Sequence, residues 1–106
     1  MMQNRSGEII ICLSQMTAKK GKEDQLRQAL QALIEPTLQE KGCLAYELLE
    51  DLGSVGSFVM YERFQNREAL EAHIKMPYIE AFVKNEYATC VESHWDSDFR
   101  SVGRSV

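Results

Sequence analysis

The chain contains two histidines, and His73 is the one placed where an imidazole can do acid–base chemistry. It lies in the stretch EALEAHIKMPYIEAF (residues 68–82), where Leu70 and Phe82 follow the spacing of one helix face. An imidazole titrates near neutral pH, so it can take up or release a proton at the wall of a pocket. The position equally suits a structural histidine that is hydrogen-bonded to Glu62 or to a backbone carbonyl. Both interpretations of His73 stay open at this point.

Three further polar side chains, Tyr46, Tyr61 and Glu62, stand among apolar neighbours in predicted strands. A buried carboxylate without a partner is costly, so Glu62 needs one. The simplest partner is a salt bridge near Arg63 or across a subunit interface, and catalysis is the alternative. The two tyrosines suit a pocket or a dimer core equally well, because a buried phenol pairs its hydroxyl with another polar group.

The elements that must position these residues alternate in a simple order: strand, helix, strand, strand, helix, strand. Short apolar runs predict the strands, and leucines at three- and four-residue steps predict the first helix. The segments are EIIICLSQM (8–16), a helix carrying Leu26, Leu30 and Leu33, CLAYELLED (43–51), SFVMYERF (57–64), a helix after Asn66, and a strand over residues 90–99.

Four residues are placed to start, bend or end the two predicted helices. Pro36 should kink the first helix, and Gly42 is placed to end it in the left-handed conformation. Asn66 can cap the second helix through its side chain. Pro77 predicts a bend after Met76, because proline starts a helical segment more readily than it continues one.

This order predicts an α+β, ferredoxin-like βαββαβ fold, with helices on one face of a four-stranded antiparallel sheet. The 106 residues suit a single domain, with flexible tails at residues 1–7 and 101–106. The other sheet face needs a cover, and Ile9 to Leu13 are apolar throughout. A second copy's sheet is the most economical cover, which predicts a homodimer.

Composition excludes several classes of partner. The net charge is −4, so the chain offers neither the clustered basic residues that bind nucleic acid nor a basic face for an anionic membrane. The sequence contains no apolar run long enough to cross a bilayer. Three cysteines without C-x-x-C spacing favour neither zinc nor disulfides, so we expect no metal site and a cytoplasmic protein with reduced thiols.

The chain resembles the antibiotic biosynthesis monooxygenase family of dimeric α/β barrel proteins. Four segments carry the resemblance, in the family's order and over roughly residues 9–85: GKEDQL, KGCLAYELLED, FVMYERF and ALEAHIKMPYIEAF. The resemblance implies a homodimer with its sheets face to face and a small pocket between each sheet and its helices. Family members include oxygenases that oxidise quinols or aromatic phenols with O2 and no cofactor, haem-degrading enzymes, and isomerases of small phosphorylated ketones.

Read through this resemblance, the chain is predicted to be a cofactor-independent monooxygenase that binds a small aromatic or quinone-like ligand. His73 is the candidate base, and Tyr46 or Tyr61 the candidate oxyanion donor. The remaining predicted substrate-binding residues are Phe58, Glu62, Tyr78, Phe82 and Trp95. Haem degradation fits less well, because the family's axial histidine falls where this chain has Phe82 and Val83.

Two alternatives remain. An isomerase of a small phosphorylated ketone would use His73 to shuttle a proton and would need a cationic phosphate grip, for which Arg63 and Lys75 are the nearest, unclustered candidates. A non-catalytic dimer that binds a small ligand would keep the pocket without turnover.

Overall fold

The computed structural model describes residues 7–103 and contains one four-stranded antiparallel sheet. Most of the two predicted flexible tails lies outside the described residues. The strand order is β2-β3-β1-β4, which is the ferredoxin-like arrangement and confirms the predicted α+β fold. The strands are β1 Ile10–Ala18, β2 Cys43–Glu50, β3 Ser57–Phe64 and β4 Val91–Phe99.

Alternation along the strands separates the two faces of the sheet. Phe58, Met60, Glu62 and Phe64 of β3 are all buried on the face that the helices cover. They pack with leucines of the first helical region, above all the fully buried Leu26. The core therefore lies between this face and the helices, and a polar residue at position 62 is placed inside it.

The first helical region is two helices rather than one kinked rod. Helix α1 spans Glu23–Gln31 and α2 spans Ile34–Leu38. Pro36 has no N–H for the carbonyl of Ala32, four residues earlier, so the hydrogen-bond ladder is interrupted there. The predicted effect of this proline is confirmed, and it acts one turn before the proline itself.

The expected left-handed conformation of Gly42 is wrong. Among residues 7–103, positive φ angles occur only at Gly7, Gly21 and Gly56. Gly42 is instead a close-approach glycine, because a Cβ atom there would lie 2.4 Å from the Cβ of Ala69. The absence of a side chain lets the start of β2 pack against the second helical region.

The second helical region begins with the predicted cap and bends at the predicted proline. Helix α3 spans Arg67–Ile74, and Asn66 Oδ1 accepts a hydrogen bond of 2.8 Å from the backbone N–H of Ala69. Met76 is extended and Pro77 opens α4, Pro77–Phe82. A π-helical turn, Val83–Tyr87, and a single α-turn, α5 Ala88–Cys90, then lead into β4.

Within residues 7–103, no helix covers the second face of the sheet. The strand register places Leu13 beside Tyr61, and Gln15 beside Trp95, on this face. Trp95 and Phe99 are about half exposed there. The face is the one on which the predicted second copy would dock, and the homodimer stays a prediction. In residues 7–103 no helix has both the length and the apolar character needed to cross a membrane.

Candidate functional site

A cavity of about 240 Å³ lies between the covered face of the sheet and the second helical region. Its lining is mostly apolar, with a few polar side chains among the hydrophobic ones. Ile74 and Val83 line it and are more than half exposed, so they mark its rim. The lining residues are Cys12, Ser14, Met16, Leu30, Leu33, Tyr46, Met60, Glu62, Leu70, His73, Ile74, Ile79, Phe82, Val83, Tyr87, His94 and Asp96.

His73 is held in one wall of the cavity and is only 3% exposed. Its Nδ1 lies 2.9 Å from Oε2 of Glu40, and its Nε2 lies 3.8 Å from Oε1 of Glu62. A carboxylate only accepts hydrogen bonds, so Nδ1 is the donor in the Glu40 pair, while Nε2 lies on the side of Glu62. The ring packs against Tyr46 and Phe64, with ring centroids 5.3 and 5.0 Å away. Both the tautomer and the orientation of the imidazole are thus set by its neighbours.

Glu40 follows α2 and is itself anchored from the second helical region. The Tyr78 hydroxyl donates to Oε2 of Glu40 and also lies 3.3 Å from the carbonyl oxygen of Pro36. Burial and the bond to Glu40 raise the pKa of Tyr78 to about 12, so the phenol remains a donor at neutral pH. The bend at Pro77 is what brings this tyrosine over α2, and the result is a Tyr78–Glu40–His73 chain.

Glu62 carries the most perturbed carboxyl of the cavity. Burial, followed by the nearby charges of Asp96, Asp98 and Glu40, raises its pKa to about 8. At pH 7 the carboxyl is therefore mostly protonated and can donate a hydrogen bond. Burial and the proximity of Glu62 likewise raise the pKa of the Tyr46 hydroxyl, which stays a donor. The cavity thus places two neutral donors beside the imidazole of His73.

A second polar group lies on the β1–β4 side of the cavity and is centred on His94. Its Nε2 is 2.7 Å from Oδ1 of Asp96, and its Nδ1 is 2.9 Å from the Tyr87 hydroxyl. Ser14 Oγ is 3.4 Å from the same Nε2. A catalytic triad needs serine and carboxylate on opposite ring nitrogens, so these contacts do not build one.

The structure brings together some of the predicted site residues and separates others. Tyr46, Glu62 and Phe82 line the cavity with His73. Phe58 is buried in the core, Tyr78 lies behind His73 on Glu40, and Tyr61 and Trp95 lie on the opposite face of the sheet. No member of this second group lines the cavity within the described chain, and their predicted contact with a ligand stays a prediction.

Sequence reasoning missed Glu40, Tyr87, His94 and Asp96. Nothing local marks Glu40, which looks like a surface residue before a turn. His94 and Asp96 do carry a signal, since both fall on the same face of a strand. In a regular strand, Val91 and Trp95 would lie on the same face of the sheet. A register shift in the pairing with β1, between Thr17 and Ala18, interrupts this alternation at the start of β4.

The described residues contain no group of three or more His, Cys, Asp and Glu side chains placed to hold a metal ion. The cysteine that lines the cavity, Cys12, is buried next to Glu62 and Asp98, and both effects raise the pKa of its thiol. A thiol in this environment is a weak nucleophile. The chemistry of the site therefore centres on its imidazole, phenol and carboxyl groups.

Comparisons with known proteins agree with this architecture. The chain is 33% identical over 75 residues to an uncharacterized protein of Synechocystis, sll1783, covering 71% of this chain and 51% of that protein. It is 42% identical over 53 residues to Rv0793 of Mycobacterium tuberculosis, named as a proposed monooxygenase, covering 50% of this chain and 52% of the relative. The chain thus spans about half the length of these two curated relatives.

The structure of SO0527 from Shewanella oneidensis superimposes with a TM-score of 0.87 at 25% identity, over 93% of this chain and 95% of that one. The family model for antibiotic biosynthesis monooxygenases matches residues 9–85, which include both helical regions and three of the four strands. The chain belongs to the antibiotic biosynthesis monooxygenase family.

Proposed function

We propose that the protein is a cofactor-independent monooxygenase that oxidises a small aromatic or quinol with O2. The observation that carries the proposal is the setting of His73: a buried imidazole in a cavity wall, with Nδ1 on Glu40 and Nε2 on the side of Glu62. An imidazole oriented by a carboxylate is a general base matched to neutral pH. Within the family, such a base suits deprotonation of a phenolic hydroxyl.

In the proposed reaction, Nε2 of His73 takes the proton of a bound phenol or quinol. The resulting anion is electron-rich and transfers one electron to O2, and the two radicals then combine at a ring carbon. One oxygen atom stays on the ring and the other leaves as water. A quinol plus O2 gives a hydroxyquinone plus water, so the substrate itself supplies all the electrons and no external reductant is required.

The neutral donors beside His73 support the same chemistry. Tyr46 and the protonated Glu62 can each donate a hydrogen bond to a developing oxyanion. A preorganised donor in a mostly apolar cavity stabilises such an anion more than water does, because it needs no reorganisation. The cavity also has a suitable size: an apolar cavity of about 150 Å³ binds benzene, and this one is about 240 Å³. One or two fused rings would fit it.

The isomerase alternative gains no support from the cavity. Its lining within residues 7–103 includes no Lys or Arg but does include Glu62 and Asp96. Arg63 lies on the other sheet face, where its guanidinium donates to the Tyr61 hydroxyl over 3.0 Å. A phosphate in the cavity would lie beside carboxyl groups rather than beside the Lys or Arg side chains that bind phosphate.

The non-catalytic alternative is favoured by one specific observation. Both ring nitrogens of His73 face protein carboxyl groups, as in a structural histidine. A non-catalytic dimer would be stabilised by a ligand without forming product.

Oxygen uptake with a panel of hydroquinones, naphthols and anthrols, together with thermal shifts on the same panel, tests the proposal. We expect uptake with at least one compound, and a loss of about 10²–10⁴ in kcat for His73→Ala. Lys75→Ala, an exposed residue just after α3, is the matched control and should keep wild-type turnover. Thermal stabilisation by several compounds with no oxygen uptake from a folded protein would reject the monooxygenase in favour of the binding dimer.

A further inference from the structure

The polar group around Tyr87 and His94 has no part in the chemistry proposed for His73, although it lines the same cavity. Its three side chains form a continuous chain. Asp96 accepts the Nε2 proton of His94, which leaves Nδ1 to accept the O–H of Tyr87 at 2.9 Å. The oxygen of Tyr87 keeps lone pairs that can accept a hydrogen bond from a ligand in the cavity.

The two ends of the cavity differ in their access to water. At the His73 end, the side chains of His73, Glu40 and Glu62 are 4%, 7% and 9% exposed. Exposure rises outward along the other chain, to 23% at His94 and 55% at Asp96. A proton delivered to Asp96 can therefore leave to solvent, whereas one held at His73 is sealed inside.

The sheet register places these groups on opposite sides of the cavity. His73 packs on Tyr46 of β2 and beside Glu62 of β3, while His94 and Asp96 belong to the edge strand β4. Glu62 and Asp96 are two strands and two residues apart, roughly 12 Å between Cα atoms. His73 and Tyr87 line the same cavity from different elements, so a ring with a hydroxyl at each end can hydrogen-bond to both, whereas a ring with one hydroxyl can reach only one of them.

The backbone beneath Tyr87 is also unusual. Val83–Tyr87 is a π-helical turn, a rare conformation that is frequently found at functional sites. Here it presents the Tyr87 ring edge-on to His94, with ring centroids 5.4 Å apart. The wide turn thus serves the polar chain that reaches into the cavity.

We propose that Tyr87 binds the second hydroxyl of a 1,4-dihydroxy aromatic substrate and, through His94 and Asp96, exchanges its proton with solvent. The proton leaves as the substrate is deprotonated, and one returns by the same path when the second oxygen atom leaves as water, so the overall reaction releases no net proton. The proton passes from the substrate to the Tyr87 oxygen as the Tyr87 proton moves to His94 Nδ1. The proton on His94 Nε2 passes to Asp96 in the same sequence. The inference rests on the proposed function and adds to it the residues that bind the second hydroxyl of a quinol and carry its proton.

Anaerobic titration with 1,4-naphthalenediol and with 1-naphthol tests the binding part without any turnover. One extra hydrogen bond corresponds to about tenfold in affinity, so we expect the wild-type protein to prefer the diol by about that factor. Tyr87→Phe keeps the ring and should bring the ratio of the two Kd values close to one, and His94→Gln should do the same. Asn85→Ala, an exposed residue in the same π-helical turn, is the control and should keep the preference.

The Asp96→Asn variant tests the proton path separately. It should lower kcat with the diol by at least about tenfold and leave the anaerobic Kd near the wild-type value. An unchanged kcat overturns the proton path. Equal affinity for both probes in the wild-type protein, or an unchanged ratio in Tyr87→Phe, overturns the diol site. If the protein oxidises both probes in that case, the proposed function stands while this inference fails. A protein that binds neither probe and takes up oxygen with no compound of the panel overturns both.

Discussion

The strongest prediction for stability concerns Glu62, whose carboxyl is buried between strands and helices. Its pKa rises from the ordinary value of 4.5 to about 8 in the folded protein. The native state therefore holds the proton more tightly than the unfolded state. This contribution to stability is complete below about pH 4.5 and is lost as the pH rises through 8.

The size of the effect follows from that difference in pKa. At about 1.36 kcal/mol for each pKa unit, it corresponds to about 5 kcal/mol at most. Glu62 borders the cavity, so its surroundings can relax when the carboxyl ionises, and relaxation reduces the cost of a buried charge. We therefore expect about 2–3 kcal/mol. Glu62→Gln mimics the protonated acid and should remove this loss of stability at high pH.

Urea unfolding followed by circular dichroism, at fixed protein concentration from pH 5 to pH 9, measures the effect. The free energy of unfolding of Glu62→Gln should gain on that of the wild-type protein as the pH rises, most steeply between about pH 5.5 and 7, and the gain should level off above about pH 8. Glu71→Gln, at an exposed position of α3, controls for the loss of a negative charge as such. Parallel wild-type and Glu62→Gln curves across this range would refute the assignment of a buried, protonated Glu62.

Two further predictions test the neighbours of the site. Glu40→Gln should lower kcat about 10–100-fold with little change in KM, since it removes the carboxylate that orients His73. Steady-state oxygen uptake measures this effect. An unchanged kcat would show that the pairing of Glu40 with His73 is only structural. Gly42→Ala should destabilise the fold by about 1–3 kcal/mol, because its new Cβ atom meets Ala69. Urea unfolding of Gly42→Ala/Ala69→Gly should recover much of that loss, and no recovery would locate the strain elsewhere.

The sequence predicted the elements well because local rules decide them. Alternation in SFVMYERF predicted the strand, but the sheet face on which Glu62 lies stayed open until the structure placed it inward. The cap at Asn66 and the bend at Pro77 depend on backbone donors and on the fixed φ angle of proline, and both appear as predicted. Gly42 was misjudged because its reason lies in a contact with Ala69, 27 positions further along the chain.

The site was predictable only where strand phase or helix phase was enough. Helix spacing predicted His73 at the wall of a pocket, and it lines the cavity. Glu62 and Tyr46 line the cavity as well, but their facing stayed open in the sequence, because a one-residue register shift would reverse it. The position of Tyr61 on the uncovered face follows once Glu62 is known to point inward, since neighbours on a strand point to opposite faces. Trp95 depended instead on the register of an edge strand, which a bulge shifts at Thr17 and Ala18. No sequence pattern encodes such a shift reliably.

The sequence by itself determined the order of elements, the covered sheet face and the presence of an imidazole beside it. Only the tertiary structure decided the chemistry available there, because Glu40 reaches His73 across 33 residues and Tyr78 reaches Glu40 across 38. The raised pKa of Glu62 likewise comes from burial and from carboxylates on another strand. Proton affinity depends on the charges and solvent surrounding a group in space, and folding brings those together from distant parts of the chain.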